Sequence, residues 1–423
     1  MTHEVDVAVV GAGVTGLELT RQLRQRGLSA RCVERADEPG GVVRSLHVDG
    51  RVLDLGPQRL RATPQITEFV DELGLDQEVV DGDPDLPIAV LRDGELRRVP
   101  LTPRGFATTD LLSLPGKLRF LAEPVTAGPR SDDTVASFLA RSFGREAYRG
   151  FLGPLYGGIY GSDPSEMPLR FSLGRLLEER GVGRSVLLWA ARRWLAGADV
   201  PAPLTFDGGL QRLPEAMYAA VEDAVSLGVE ARSVRRRDGG FTVTTSSVDV
   251  HADHVVVATA ADAAATLLRD LDRDHAEALG DLRYNPLAVV HVDAATDGDW
   301  MGYQVAFGED LATRGVTWND ALFGRDGVHT CFLGGATAPE VVERDDEAIA
   351  ALATDEFEAA TGVAAESLHV HRTRMPAFDG SWTTLEEASS PDGVTVAGNY
   401  TGRAGIPGRL RQARRIAERL APE

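Results

Sequence analysis

The chain has 423 residues, 43% of them hydrophobic, and a formal net charge of −20 at pH 7. That length exceeds one ordinary core and asks for two or three domains, and so acidic a balance, without a basic stripe, excludes a nucleic-acid partner. No run approaches the ~20 apolar residues of a membrane span, and no basic, apolar leader opens the chain, so a cytoplasmic protein is expected. Lys117 is the only lysine among 44 basic residues. The dispersed carboxylates fit a host with high internal salt better than a merely solvated surface. Cys32 and Cys331 sit in apolar strand-like runs far apart, which predicts buried free thiols rather than a metal site or a disulfide.

Val5 to Val10 reads as a short buried strand. Gly11-Ala12-Gly13-Val14-Thr15-Gly16 follows at once, and Leu17 to Leu23 continues as a helix. This is a G-x-G-x-x-G turn in its required strand–turn–helix context, the signature of a dinucleotide site. Gly11 permits the turn, Gly13 lets a pyrophosphate approach, and Gly16 lets helix and strand pack closely. The free N–H groups of the helix start then face the phosphates. A second strand, Ala30 to Val33, ends at Glu34, placed where a carboxylate accepts ribose hydrogen bonds.

Next comes Arg35-Ala36-Asp37-Glu38-Pro39-Gly40-Gly41-Val42-Val43-Arg44-Ser45. The Gly40-Gly41 pair with Arg44 and Ser45 resembles the second fingerprint of the flavin-dependent amine oxidases and their relatives, which implies FAD as the cofactor and a loop running past its diphosphate. Leu53-Asp54-Leu55-Gly56-Pro57-Gln58-Arg59-Leu60-Arg61 resembles the porphyrinogen-oxidising branch of that superfamily. The resemblance implies that Gly56 and Pro57 reach the flavin ring and that Arg59 or Arg61 holds a substrate carboxylate; solvated surface is the plainer alternative for both arginines.

Residues 65 to 80 read as a helix, with Ile66, Phe69, Val70 and Leu73 at helical spacing and Gly74 as its stop. Pro87 to Leu91 and Glu95 to Pro100 form a hairpin across Arg92-Asp93-Gly94. From 103 to 200 the chain is mostly helical. Within it, Phe151-Leu152-Gly153-Pro154-Leu155-Tyr156-Gly157-Gly158-Ile159-Tyr160-Gly161-Ser162-Asp163-Pro164 resembles protoporphyrinogen oxidases most specifically. The resemblance gives Tyr156 and Ile159 a place against a flat tetrapyrrole, although core packing would look the same. Val186 to Leu195 sets two Trp beside two Arg on a short apolar helix. It suits a lid over the substrate pocket, or a membrane interface.

Thr205-Phe206-Asp207-Gly208-Gly209-Leu210, then Leu213-Pro214, returns the chain to the flavin domain in the manner of the superfamily. Val229 to Arg236 reads as a strand, in which the backbone of Val234 is implied to meet the adenine edge. Ala252 to Thr259 is a buried parallel strand. Met375-Pro376-Ala377-Phe378-Asp379-Gly380-Ser381-Trp382 departs from the family's Pro-Gln-Tyr and Gly-His pair, which bears on the substrate. Val394 to Tyr400 reads as a strand with a glycine end, followed by Gly405-Ile406-Pro407-Gly408 and a helix to Leu420. By resemblance Gly398, Asn399, Gly405, Ile406 and Pro407 pass beside the isoalloxazine, and the helix N-terminus stabilises the reduced anion.

The expected fold class is α/β: a Rossmann-type FAD-binding domain (1–80, 203–262 and 385–423), a mixed-sheet substrate domain (81–102 and 263–384) and an inserted helical region (103–202). No Ser/His/Asp triad or Cys/His metal cluster presents itself. His47, His251, His254, His291, His369 and His371 lie in strand-like segments and read as structural. No catalytic side chain is therefore assigned. The implied activity is oxidation of protoporphyrinogen or coproporphyrinogen by hydride transfer to flavin N5, with molecular oxygen as acceptor. A peripheral membrane contact is a further implication. The rivals are an amine oxidase or polyene desaturase of the same fold, and a flavoprotein that only carries a tetrapyrrole. Lys117 falls in an early helical segment, a poor place for an amine oxidase's flavin-side lysine. Its survival as the one lysine reflects either a site that suits a compact ammonium or chance.

Overall fold

A computed structural model describes residues 3–126, 128–298, 300–402 and 405–421. Five parallel strands form the centre of the first sheet, in the order Val225–Ser226, Ala30–Val33, His3–Val10, Val250–Val257 and Val394–Val396. The antiparallel hairpin Ala231–Arg237 and Gly240–Thr245 lies beside the first half of Val250–Val257. Val7, Val9, Cys32 and Val256 are buried on one face of this sheet, where they pack with Leu17, Leu410 and Ala413 of the first and last helices. Such two-sided burial suits apolar parallel strands.

The first helix, Val14–Gln25, and the last, Ile406–Leu420, pack side by side. Glu18 is fully buried between them. It accepts from Arg21 Nε at 2.8 Å, Gln22 Nε2 at 3.0 Å and Arg414 Nε at 3.0 Å, so the buried charge is paired from both helices.

The second sheet has the order Glu366–Pro376, Tyr284–Asp293, Val328–Gly334, Thr313–Trp318, Gly302–Val305, Ile88–Arg92 and Glu95–Arg98. Only Gly302–Val305 and Ile88–Arg92 run parallel in it. The early hairpin forms as the Asp-Gly signal predicts, with positive φ at both Asp93 and Gly94. One face is covered by Asp346–Thr361 through Ile349, Ala353 and Phe357. The other turns toward the first sheet and the inserted helices.

The expected α/β class holds, with local corrections. The helix expected over 65–80 spans only Pro64–Glu72. Gly74 takes φ +70°, Asp76–Glu78 makes a 3₁₀ turn, and the β-branched pair Val79 and Val80 opens a strand, Val79–Asp81, against Pro203–Phe206. Pro203–Phe206 also pairs with Leu60–Arg61, in a three-stranded sheet that sequence periodicity did not reveal. The strand expected over 394–400 stops at Val396, where the chain turns through Gly398, and the one expected from Val229 begins at Ala231. Cys32 and Cys331 are buried free thiols, and burial pushes Cys32 up to about 12. No helix among the described residues is long and apolar enough to cross a membrane.

Candidate cofactor and substrate site

Three backbone segments, far apart in sequence, converge at the C-terminal end of the parallel strands. Gly11, with φ +105°, makes the turn out of the first strand. A Cβ at Gly16 would stand 1.8 Å from the Gly11 carbonyl oxygen, so the close approach of helix and turn requires glycine there. Gly13 differs: the nearest protein atom to its missing Cβ is the Gly40 oxygen at 3.9 Å, which leaves the space above it open. Gly13 is also the N-cap of Val14–Gln25, with no side-chain cap and no acidic residue in the first turn. Uncapped N–H groups, an open approach and a positive helix end are what a diphosphate needs. Val14 and Thr15 are buried, so only their backbones can serve it.

The second segment is locked to the first. Gly40 N donates to the Ala12 oxygen at 2.8 Å, and Gly13 and Gly40 form a parallel bridge. Gly41 stands exposed beside Gly13, with Gly13 Cα 3.5 Å from where its Cβ would be. The Glu34 carboxylate accepts from Ala12 N at 2.8 Å and Ala36 N at 3.0 Å. It thereby fixes the turn and keeps lone pairs for two further donors. Arg35 and Arg44 are exposed, and Arg44 is paired with Glu38 at 2.7 Å. Ser45 faces inward: its Oγ donates to Asp54 Oδ1 at 2.6 Å and its amide to Gln211 Oε1 at 2.8 Å. This hydroxyl is committed to the protein.

The third segment is the C-terminal turn. Gly405, with φ +89°, precedes Ile406–Leu420, again without a side-chain cap or an acidic first turn. Ile406 is buried in the core beneath, whereas Asn399 and Pro407 are partly exposed. Gly398 N donates to Thr401 Oγ1 at 2.9 Å, which pins the turn. Tyr400 is buried alongside, and burial raises its hydroxyl well above the usual range. Val234 lies in the edge strand. Its two-residue hairpin closes on Arg237 and Gly240, so by the alternation of an antiparallel ladder its own N–H and C=O point away from Val243.

Gly56 sits against the loop after Gly40-Gly41: a Cβ there would lie 2.0 Å from the Val42 oxygen. Pro57, Gln58 and Arg59 follow. Burial, and then the Arg61 charge, push Arg59 down to about 10, and Arg59 has no hydrogen bond or ion pair among the described residues. Arg61 donates to the Pro201 oxygen at 3.1 Å. The two predicted substrate arginines thus stand together next to the Gly56-Pro57 turn. Tyr156 packs on Tyr160 with ring centroids 4.9 Å apart, while Ile159 is 66% exposed on the same helix, Gly153–Tyr160. A five-residue π-helical turn, Tyr148–Leu152, leads into that helix.

Sequence reading missed a buried polar network that joins this region to the second sheet. Gln58 Nε2 donates to the Asp54 oxygen at 2.6 Å, Asn319 Nδ2 to Gln58 Oε1 at 3.1 Å and to Thr330 Oγ1 at 2.8 Å, and Thr330 Oγ1 to Gln58 Oε1 at 2.9 Å. Burial raises the Asp54 carboxyl above its usual range, although Ser45 and Leu210 hydrogen bonds oppose it. It missed Phe378 as well. This residue of the departing segment has φ +54° and wedges between Tyr160 and Trp382, at 5.1 and 4.4 Å. Lys117 Nζ donates to the Ala107 oxygen at 2.8 Å, a bond between helices remote from the three glycine segments. Among the described residues no group of His, Cys, Asp or Glu could hold a metal ion.

Comparison with known proteins agrees with this geometry. The model of the family described as flavin containing amine oxidoreductase matches residues 14–421. A chloroplastic protoporphyrinogen oxidase of Nicotiana tabacum is 26% identical over 383 residues, covering 81% of this chain and 70% of its own. A coproporphyrinogen III oxidase of Staphylococcus aureus is 31% identical over 176 residues, 38% of each chain. A crystal structure of a candidate protoporphyrinogen oxidase from Exiguobacterium superposes with a TM-score of 0.80 at 20% identity, over 100% of this chain and 99% of that one. The chain therefore belongs to the flavin-containing amine oxidoreductase family and is a flavin-dependent oxidoreductase.

Proposed function

We propose that the chain is an FAD-dependent porphyrinogen oxidase. The observation that carries this reading is Arg59, a desolvated guanidinium with no protein anion, set two residues after the Gly56-Pro57 turn that abuts the diphosphate loop. Such a cation calls for a carboxylate ligand beside the cofactor. The porphyrinogen oxidases among the relatives support the choice of a tetrapyrrole.

FAD fits the residues present. Gly11, Gly13 and Gly16, with the Val14 and Thr15 amides, would take the diphosphate from one side, and Gly40, Gly41 and Arg44 from the other. Glu34 and Arg35 would hold the adenine ribose, and Val234 the adenine edge. Gly398, Asn399, Gly405, Ile406 and Pro407 would line the flavin, and the helix N-terminus behind them favours negative charge. Ser45 serves from behind, through Asp54. We assign cofactor binding to residues 1–80, 203–262 and 385–423, and substrate binding to 81–102 and 263–384.

When bound, the flavin supplies a two-electron acceptor that molecular oxygen restores with release of hydrogen peroxide. A porphyrinogen meso C–H gives up hydride readily, because the cation left behind is conjugated with its pyrroles. A pyrrole N–H then gives its proton to solvent. Three such two-electron losses yield the aromatic porphyrin. The protein's part is placement: Arg59 and Arg61 fix carboxylates, Tyr156 and Ile159 offer apolar contact, and no side chain need move a proton. Appearance of fluorescent porphyrin with three peroxides per molecule, from either porphyrinogen in air, is the expected result. Absence of porphyrin with both substrates, from protein that carries flavin, would refute the reading.

The inserted helical region supports a second role, a peripheral membrane contact. Leu114, Leu118, Leu121 and Val125 form an exposed stripe at helical spacing, and Leu188, Trp194 and Leu195 are exposed on Val186–Leu195. Buried Glu123 joins the two, accepting from Val186 N at 2.8 Å and from the Ser185 hydroxyl. Residues 103–202 hold thirteen basic and ten acidic side chains in a chain of net charge −20. The exposed apolar surface therefore sits on a stretch of positive balance, which suits an anionic lipid surface.

A further inference from the structure

The strand Thr313–Trp318 carries Arg314 near one end and hands the chain to Asn319 at the other. Asn319 is bonded to Gln58, the neighbour of Arg59. At about 3.3 Å per residue, Arg314 and Asn319 stand roughly 17 Å apart along the strand. Arg314 and the side chain that binds the neighbour of Arg59 thus stand at opposite ends of one strand of the second sheet, at a separation comparable with the width of a tetrapyrrole and its side chains.

Arg314 shares the condition of Arg59. Its Nε donates to the Ala312 oxygen at 3.3 Å, and it has no ion pair among the described residues. Glu356, the carboxylate that acts on it, already accepts from Ala312 N and Thr313 N at 2.8 Å each. Burial lowers the guanidinium from its ordinary value. Arg314 lines a small cleft with Gly157, Gly158, Gly161, Ser162 and Phe307, at the glycine face of Gly153–Tyr160. Beside that cleft the Gln304 amide lies over Gly158 and Gly315, at 1.6 and 2.5 Å from where their Cβ atoms would be. Gln304 Oε1 is buried without a hydrogen-bond partner. A cation lacking an anion and an amide lacking a donor thus mark one cleft, and buried polar groups in folded proteins are seldom left so.

We propose that Arg314 is a second carboxylate subsite, across the substrate face from Arg59, and that the preferred substrate is a porphyrinogen with carboxylates on opposite rings. The inference rests on the porphyrinogen reading above. Coproporphyrinogen III carries a propionate on each of its four rings. Protoporphyrinogen IX carries two on neighbouring rings and vinyl groups on the others. One clamp at Arg59 and Arg61 serves either molecule, whereas a second clamp finds an anion only on the tetracarboxylate. The guanidinium fork matches a carboxylate bidentately.

Steady-state oxidation of both porphyrinogens by the wild type, Arg314→Met and Arg314→Lys tests this. The expected result is a KM for coproporphyrinogen raised about ten- to hundredfold in Arg314→Met, as for a lost charge-assisted hydrogen bond. The rise should be smaller in Arg314→Lys, with the KM for protoporphyrinogen unmoved in both. Flavin absorbance and melting temperature verify each fold, and Arg314→Lys carries the comparison if Arg314→Met loses its flavin. Equal changes for the two substrates, no change for either, or wild-type turnover of protoporphyrinogen alone would overturn the inference and leave the porphyrinogen reading standing. Turnover of neither by flavin-loaded wild type would refute both.

Discussion

His291 is fully buried in the second sheet, and its Nε2 donates to the Asp54 carbonyl oxygen at 3.0 Å while Nδ1 has no partner. Burial pushes it down to about 4, so it is neutral at pH 7. Because the unfolded chain binds this proton near pH 6.5 and the folded chain does not, stability present above pH 6.5 is lost as pH falls toward 4. The loss from this residue is about 3 kcal/mol. His291→Gln, which keeps a donor, should flatten the fall in melting temperature over that window by a corresponding amount; an unchanged slope would contradict the assignment. His291 reads from sequence as structural, and its contacts agree. Its partners were not legible, nor was the Gln58, Asn319 and Thr330 network. Gln58 meets Asn319 and Thr330 across more than 260 positions, and local periodicity carries no trace of such a meeting.

At the scale of elements, the glycine turn was the most legible part of the chain, because each glycine answers a local steric demand. Gly13 and Gly16 separate folding from binding. Gly16→Ala would drive a Cβ into the Gly11 oxygen and should cost several degrees of melting temperature. Gly13→Ala meets no protein atom closer than 3.9 Å and should leave the apoprotein's stability within about 0.5 kcal/mol. It should nevertheless weaken flavin retention through gel filtration, since the added methyl occupies the phosphate approach. Full flavin content in Gly13→Ala would place the diphosphate elsewhere. Less legible was the sheet made by Leu60–Arg61, Val79–Asp81 and Pro203–Phe206. Its strands are two to four residues long, too short for a period to show, and they pair only because the chain returns to them after the helical insert.

For the whole molecule, the first and last helices are tied beside the first sheet through Glu18 and Arg414, and the helical insert carries a positive balance on an acidic protein. That asymmetry predicts sedimentation with phosphatidylglycerol vesicles at low salt, weakened by salt and by Leu118→Asp or Trp194→Asp with flavin content unchanged. Equal sedimentation of the variants would show that these helices are not the contact. The broad architecture was readable because the fingerprint, the Gly40-Gly41 loop and the C-terminal Gly-Ile-Pro turn span the chain. The placement of the arginines was not, since it depends on how Thr313–Trp318 and Asn319 lie against residues 58–61. The most direct measurement is an anaerobic titration of the purified holoprotein with each porphyrinogen, followed at the flavin absorbance maximum. Stoichiometric bleaching with simultaneous growth of a porphyrin Soret band is predicted, and coproporphyrinogen III should act at the lower concentration. A flavin spectrum unchanged by both porphyrinogens would contradict the account.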